Sequence, residues 1–516
     1  MERSTSPDGS RGDEKSKFPI LAHKRFLLVS LFVGFSMLEA GPQQIISSFL
    51  LLGSFISSLL AGVFSRYLGR RHCVMLGMVV LIVGVTVQVV TTSLGVLYFG
   101  RLVTGLANGL IMNFTFMYVA EMSPAHLRGV AYAMVSGWVT LGSGIGAVII
   151  NETSTMMNRL SYQIPLYTLY FLPVVMLVGL FFLPESPRWL LLHGRSDEAL
   201  KSLTWIRADA CDRFEVLKEF EEMRINVELE LSSDSKAAFF EQFNKRHLRR
   251  TMISIGAGLM NPAVGGMFVM AFTTYFMKAV STQLDTTMIS SLTESSLQNG
   301  VKDPFKWGIV GQWVGYFGQL ISYPFIAILG RRTMLLLGVG MCCMSMLILG
   351  ILFQVPASQS ARASGIIFFN TFYHFGFNFG VVSLVYMVSG EIPAQNLRAC
   401  TTGMSTGIGF VFAWLTAFTA PYFINPAELN WGGNYGFIWF ASSVVGIVFI
   451  YFFVPEVRGR TLEEIEEMFD KNVPARKFQS YVCENVERAN REAAKDLDHE
   501  EAKEGQIEHI EVSTRI

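Results

Sequence analysis

The sequence predicts an all-α membrane protein made of two repeated helical halves. Three observations predict it: an apolar composition, about a dozen apolar runs of membrane-spanning length, and charged motifs that occur twice in the same order. Of 516 residues 51% are hydrophobic and only 16% charged, with 42 Phe, 46 Gly and a mean hydropathy of +0.40. A soluble chain would carry about a quarter charged residues. The missing charge is concentrated in the apolar runs, which one large soluble core would not produce. The net charge is zero, and no basic stripe interleaved with aromatics is present, so no nucleic-acid partner is expected.

Roughly 20 apolar residues cross the hydrocarbon core. By that measure eleven spans are expected: Gln44–Phe64, Cys73–Thr91, Val96–Val119, Val130–Ile150, Ile164–Leu183, Met252–Phe276, Phe305–Leu329, Thr333–Val355, Ser364–Ser389, Thr401–Tyr422 and Tyr435–Val454. A twelfth, Phe26–Leu38, has 13 residues and would cover only about 20 Å of a core about 30 Å thick. The short loops holding Arg66, Arg70, Arg71, Arg128, Arg331, Arg332 and Arg398 alternate with nearly uncharged turns, which places the basic set in the cytoplasm. With His23-Lys24-Arg25 also inside, Phe26–Phe64 must cross twice, so the first span is a shortened one.

The expected divisions are a cytoplasmic N-tail (1–22), an N-terminal six-helix bundle (23–183), a cytoplasmic helical connector (184–250), a C-terminal six-helix bundle (251–454) and a cytoplasmic C-tail (455–516). In the connector, Ser196-Asp-Glu places acidic residues in the first turn of a helix, and Phe214–Glu230 alternates apolar and charged residues at helical spacing. The charged run Glu484–Glu504 is expected to be solvated. Six cysteines fall in apolar spans or on the inner side, and no disulfide is expected. Two sequons are present: Asn113-Phe-Thr115 lies within a span, and Asn151-Glu-Thr153 lies at the edge of one.

The repeat is carried by three motifs. Gly69-Arg70-Arg71 recurs as Gly330-Arg331-Arg332, 261 residues later. Glu121-x-x-Pro124-x-x-x-Arg128 recurs as Glu391-x-Pro393-x-x-x-x-Arg398 at an offset of 270, and Pro184-Glu185 with Arg188 recurs as Pro455-Glu456 with Arg458 at 271. Positive-inside anchoring alone would explain the arginines. It does not explain why the glutamates repeat with them. A cytoplasmic gate is therefore expected from Glu121, Arg128, Glu185, Arg188, Glu391, Arg398, Glu456 and Arg458, whose opposite charges pair when the inner side closes.

Together with Gly100-Arg101-x-x-x-Gly105, Pro184-Glu-Ser-Pro-Arg-Trp189 and Pro455-Glu-x-x-Gly-Arg-Thr461, these motifs resemble the sugar porter family of the major facilitator superfamily from about Gln44 to Phe478. Tyr386-x-x-x-x-Glu391-Ile-Pro393, Leu397-Arg-Ala-Cys-Thr401, Pro421-Tyr-x-Ile-Asn-Pro426 and Val473-Pro-Ala-Arg-Lys-Phe478 resemble fungal alpha-glucoside and hexose-type sugar permeases. The resemblance implies the major facilitator fold, with twelve spans in two six-helix bundles. It also implies alternating access and proton-coupled sugar uptake across a plasma membrane. The expected partners are a small-molecule sugar, protons and the lipid bilayer.

Sugar recognition needs hydrogen-bonding groups and aromatic platforms facing a central cavity. The expected substrate-binding set is Ser136, Trp138, Asn261, Tyr275, Asn378, Tyr386 and Trp414; Gln312, Gln319, Asn370 and His374 are further polar residues within spans. Tyr386 and Asn261 fall on the family's binding motifs. Proton coupling is assigned to Glu39 and Arg101, with Glu39 standing in for the family's absent Gly-Tyr-Asp aspartate. The aspartates that usually precede Gly-Arg-Arg are Arg66 and Ala327 here, and Ser136 and Asn261-Pro262 replace the usual glutamines. Those departures leave two other functions open, a carrier of quinate- or polyol-like solutes and a transport-dead nutrient sensor. No enzyme is expected, and no cofactor or metal.

Overall fold

The computed structural model describes residues 42–124, 127–154, 156, 158–207, 213–232, 239–270, 304–354, 359–394, 397–424, 429, 431–460 and 462–483. Among them every regular element is helical. In the first half α1 (Pro42–Tyr67), α2 (Arg70–Val90), α3 (Leu94–Met122), α4 (Arg128–Ser154) and α5 (Leu160–Phe182) are long helices. The connector holds α6 (Pro187–Leu192), α7 (Ser196–Arg207) and α8 (Arg213–Ser232). The second half comprises α9 (Lys245–Ala263), α10 (Pro304–Leu329), α11 (Arg331–Gln354), α12 (Gln359–Gly376), α13 (Ser383–Glu391), α14 (Arg398–Ile424) and α15 (Tyr435–Phe453), followed by α16 (Leu462–Asp470).

Ten helical stretches among the described residues are long and apolar enough to cross a membrane, and the 26-residue α10 packs between them. All eleven spans expected from hydropathy fall on these helices, and the one from Met252 runs beyond residue 270, where description stops. The shortened first span, Glu39, Tyr275, Cys211 and the tail after 483 lie outside the described residues. The five described cysteines are free thiols.

Small residues set the helix spacing, as they must where lipid supplies no hydrophobic drive between helices. A Cβ on Gly105 would lie 2.1 Å from the Leu50 carbonyl oxygen, and one on Gly53 would lie 2.3 Å from that of Leu102, so α1 and α3 touch backbone to backbone. Asn113 belongs to this seam: its amide donates to Ser58 Oγ at 2.9 Å and to the Gly109 carbonyl at 2.8 Å, so it is a packing residue.

Two seams join the halves. Helix α1 runs along α14, where Gly403 faces the Ser58 carbonyl and Gly62 faces Cys400. Helix α4 runs along α10, where Gln319 Nε2 donates to the Ala133 carbonyl at 2.9 Å and Gly137 faces the Tyr323 hydroxyl. The connector packs Trp189, Leu190, Leu191, Ala199 and Val227 into a small core of its own. Ser186 caps α6, and Arg207 ties α7 to the end of α3 through the Met122 carbonyl at 3.2 Å. The C-terminal α16 lies on the start of α9, with Arg250 donating to the Glu466 carbonyl at 2.7 Å.

Candidate functional site

The duplicated motifs build the same cage twice. In the first half Arg70 meets Glu121 at 3.0 Å, and Glu121 also accepts from the Ser186 hydroxyl. The backbone N–H groups of Arg71 and Ser186 donate to Glu185 Oε1 at 3.1 and 3.0 Å, and His72 Nδ1 lies 3.0 Å from Oε2. In the second half Arg331 faces Glu391 at 3.7 Å. Glu456 accepts from the N–H groups of Arg331, Arg332 and Arg458 at 3.0, 2.9 and 3.1 Å. The physical reason is shared. Each Gly-Arg-Arg opens a helix whose first N–H groups have no intrahelical acceptor, and a carboxylate at that terminus satisfies them. The second arginine of each motif reaches the end of its own half's last span: Arg71 Nη1 to Leu183 O at 2.8 Å, and Arg332 Nη2 to Tyr451 O at 2.6 Å.

The arginine of the second motif looks across to the other half. Arg128 acts electrostatically on Glu391 of the other half, and Arg398 acts on both Glu391 and Glu121, so these arginines lie within reach of buried glutamates across the seam. The Nε atoms of Arg128 and Arg398 meet no acceptor among the described residues. Arg188 contributes to the field at Glu121 and Arg398. Arg458 is exposed and donates to the Ile328 carbonyl at 2.6 Å. Of the eight expected gate residues, the four glutamates sit in intra-half cages, while Arg128 and Arg398 lie at the seam. Next to this charged layer is a stack of three rings, Tyr132–Phe116 at 5.5 Å and Phe116–Tyr386 at 4.8 Å, which crosses from one half to the other.

Two helices of the second half are broken. The α9 helix carries Pro262 in its last turn and ends at Ala263, and Gly265 turns at φ +85°, a left-handed conformation that favours glycine. The Tyr373 hydroxyl satisfies the freed Val264 carbonyl at 2.8 Å. Between α12 and α13 a π-helical turn spans Phe377–Val382, and the Ser383 hydroxyl donates to the Asn378 carbonyl at 2.7 Å. Such turns occur often at functional sites. Asn261 on the first broken helix acts on Tyr386, and Asn378 in the second accepts through Oδ1 from Thr140 of the first half at 3.0 Å.

Asn370, His374 and Asn378 follow one another at i, i+4, i+8, so they form one stripe. That stripe faces the glycines of α10: a Cβ on Gly311 would lie 2.9 Å from His374 Cδ2, and one on Gly315 2.5 Å from Asn378 Nδ2. Both ring nitrogens of His374, Asn370 Nδ2, Gln312 Oε1 and the Trp414 indole N–H are buried without a partner among the described residues. Buried polar groups left this way call for a ligand or ordered water.

Ser136 is buried beside this region, one turn before Thr140 on α4. Trp138 does not join it. It is 70% exposed and lies about 200° around the helix from Ser136, so the aromatic platform expected there is on the opposite side of α4. Trp414 packs against Leu51, Ala413 and Ala417 at the α1–α14 seam. Arg101 is half-buried, and its Nε has no acceptor among the described residues. Sequence reasoning missed Thr140, whose i+4 spacing from Ser136 was the available signal. Among the described residues no cluster of His, Cys, Asp and Glu is arranged to hold a metal.

Comparison with known proteins agrees with this architecture. The family model "Sugar (and other) transporter" matches residues 35–469. The general alpha-glucoside permease of Saccharomyces cerevisiae is 26% identical, covering 84% of this chain and 68% of its own length. A low-affinity glucose transporter of the same yeast is 26% identical over 86% of this chain and 76% of its own. The solved structure of the proton:xylose symporter XylE bound to 6-bromo-6-deoxy-D-glucose superposes with a TM-score of 0.67 at 18% identity, covering 83% of this chain and 89% of that one. The fold is therefore that of the major facilitator superfamily, and the chain belongs to the sugar (and other) transporter family, a multi-pass membrane transporter and not an enzyme.

Proposed function

We propose that this protein takes up a sugar across the plasma membrane by alternating access, driven by protons. The observation that carries the reading is the set of buried polar groups without a partner among the described residues: Gln312, Asn370 and His374 where α10 meets α12, and Trp414 at the α1–α14 seam. A hydroxylated solute both donates and accepts, so it would satisfy acceptors such as Gln312 Oε1 and donors such as Asn370 Nδ2 at once. Asn261, Asn378, Tyr386 and Ser136 would supply the remaining polar contacts. Trp414 supplies an aromatic face, and Tyr275 is retained from the sequence as a further contact.

The bundles 23–183 and 251–454 would rock about this site, the connector 184–250 and tail 455–516 holding their inner ends. The cross-facing arrangement of Arg128 with Glu391 and Arg398 with Glu121, together with the Tyr132–Phe116–Tyr386 stack, would close the cytoplasmic side. An ion pair that hydrates when the inner side opens contributes about 0–1 kcal/mol in that exposed state, so several charges and the ring stack must act together to bias the two states. Proton coupling would run through Glu39 and Arg101, because an arginine in a span is costly without a carboxylate partner.

A radiolabelled panel of hexoses, alpha-glucosides, polyols and quinate, offered to transporter-null cells with and without an uncoupler, tests this directly. Uptake of a sugar that the uncoupler abolishes is the expected result. Uncoupler-insensitive uptake would reject the proton, and polyol or quinate uptake alone would reject the sugar. No uptake at all from protein at the cell surface would leave a sensor.

A further inference from the structure

A second site lies at the inner rim of the first half, away from the seam. A cavity of about 480 Å³ opens where the last turn of α5 meets the connector, and its walls differ in chemistry. On the membrane side are Phe181 and Phe182, 60% and 78% exposed, at the end of a span that is only 11% buried inside the protein. On the cytoplasmic side are Trp205, 58% exposed, and the cations Arg71, Arg195 and Lys201.

The charges of the cavity are not all spoken for. Glu185 is engaged by two backbone N–H groups and by His72, and Glu198 is paired with Arg195 at 2.5 Å. Lys201 is exposed and meets no carboxylate among the described residues, and Arg71 Nε is buried with no acceptor. What remains is a cationic pocket floor beside a lipid-facing apolar wall. Trp205 lines the same cleft as the end of the α5 span, and amphipathic rings favour the headgroup layer. An occupant must therefore carry an anion and an apolar body joined together. A soluble anion would leave Phe181 and Phe182 unused, and a neutral lipid would leave Lys201 and Arg71 unanswered.

We propose that this cleft binds the headgroup of an acidic phospholipid of the cytoplasmic leaflet. The phosphate sits between Lys201 and Arg71, and the acyl chains lie along Phe181 and Phe182 on α5. The lipid then bridges the Gly-Arg-Arg cage and the connector, so its binding stabilises the arrangement of α5 against α7.

The test uses the purified full chain in mixed micelles, with the thermal midpoint followed as lipid is titrated in. Phosphatidylserine is expected to raise the midpoint saturably, whereas phosphatidylcholine and soluble glycerophosphoserine at equal phosphorus are not. Lys201→Gln should raise the half-saturating mole fraction about fivefold, and Lys201→Glu further, with the lipid-free midpoint unchanged because Lys201 is an exposed, unpaired side chain. Trp205→Ala should weaken binding without removing selectivity for the acidic headgroup. An equal response to phosphatidylcholine, a full response to glycerophosphoserine, or wild-type titration by both Lys201 variants would each overturn the proposal.

Discussion

The two cytoplasmic cages come from one repeated motif, yet they are built to different tightness. In the first half Glu121 is held by Arg70 at 3.0 Å and by the Ser186 hydroxyl. In the second half Arg331 and Glu391 stand 3.7 Å apart, and Arg331 Nε and Glu391 Oε2 make no hydrogen bond among the described residues. Among the sequence differences between the cages, one falls on a residue that bonds the first glutamate. Ser186 follows the Pro-Glu of the first half, and Val457 follows that of the second, 1% exposed within the main apolar core. The helices show the same contrast. The first half keeps α3 continuous for 29 residues, whereas its counterpart in the second half is interrupted by the π-helical turn at Phe377–Val382. Repetition thus fixes where charges stand, and single side chains decide which half is anchored and which has groups left to exchange partners.

The largest test of that contrast is to neutralise each glutamate in turn. Glu121→Gln removes the partner of buried Arg70, and breaking a buried pair costs about 3–5 kcal/mol. Glu391→Gln loses a longer contact, though one equally buried and also felt by Arg128 and Arg398, so a smaller loss of about 1–3 kcal/mol is expected. Thermal unfolding of the two purified variants should therefore separate clearly. Equal losses would mean that the cages are equally tight.

The next test concerns the broken helix. Gly265→Ala forces a side chain into a left-handed residue and toward Trp439, 2.9 Å from the added Cβ, at a backbone cost of about 1–2 kcal/mol. Its main effect should be on uptake, since the turn presents Asn261. Gly105→Ala, in the continuous first half, should instead reduce folded yield, because its Cβ meets the Leu50 carbonyl. If both variants lost yield alone, the break at Gly265 would be packing and nothing more.

Much of this was legible in the sequence because the governing signals are local or repeated. Hydropathy located the spans, and the common offset paired Glu121 with Glu391 and Glu185 with Glu456 before any contact was known. The Pro262–Gly265 break carried a signal, since proline and glycine so placed interrupt a helix, yet Met252–Phe276 was read through it as one span. The π-helical turn carried none, for no proline marks Phe377–Val382. Trp138 was misplaced because residue type was weighed without helical phase; two residues from Ser136 is the far side of α4. The difference between the cages depends on distances set by tertiary packing, which no spacing rule supplies.

Ser186→Ala then probes the anchored cage at finer scale. It removes the hydroxyl bonded to Glu121 and the cap on the Trp189 N–H, a loss of about 1–2 kcal/mol. The loss should shrink when Glu121 is already Gln. Additive losses would place the effect in the cap alone.

The smallest net change carries the sharpest logic. Val457→Ser transplants the first half's hydroxyl into the second. It gives up about 1–2 kcal/mol of apolar burial. A hydrogen bond to a charged group contributes about 1.5–3 kcal/mol, so capture of Glu391 would bring the net change near zero. In the Glu391→Gln background that compensation weakens, and the cost of losing the valine should emerge. A double-mutant cycle reads the coupling directly. Coupling above about 0.5 kcal/mol would show that one side chain sets the difference between the halves. With no coupling, the looseness of the second cage must come from the backbone position of Arg331 relative to Glu391, and the contrast would belong to helix placement instead of to Ser186 and Val457.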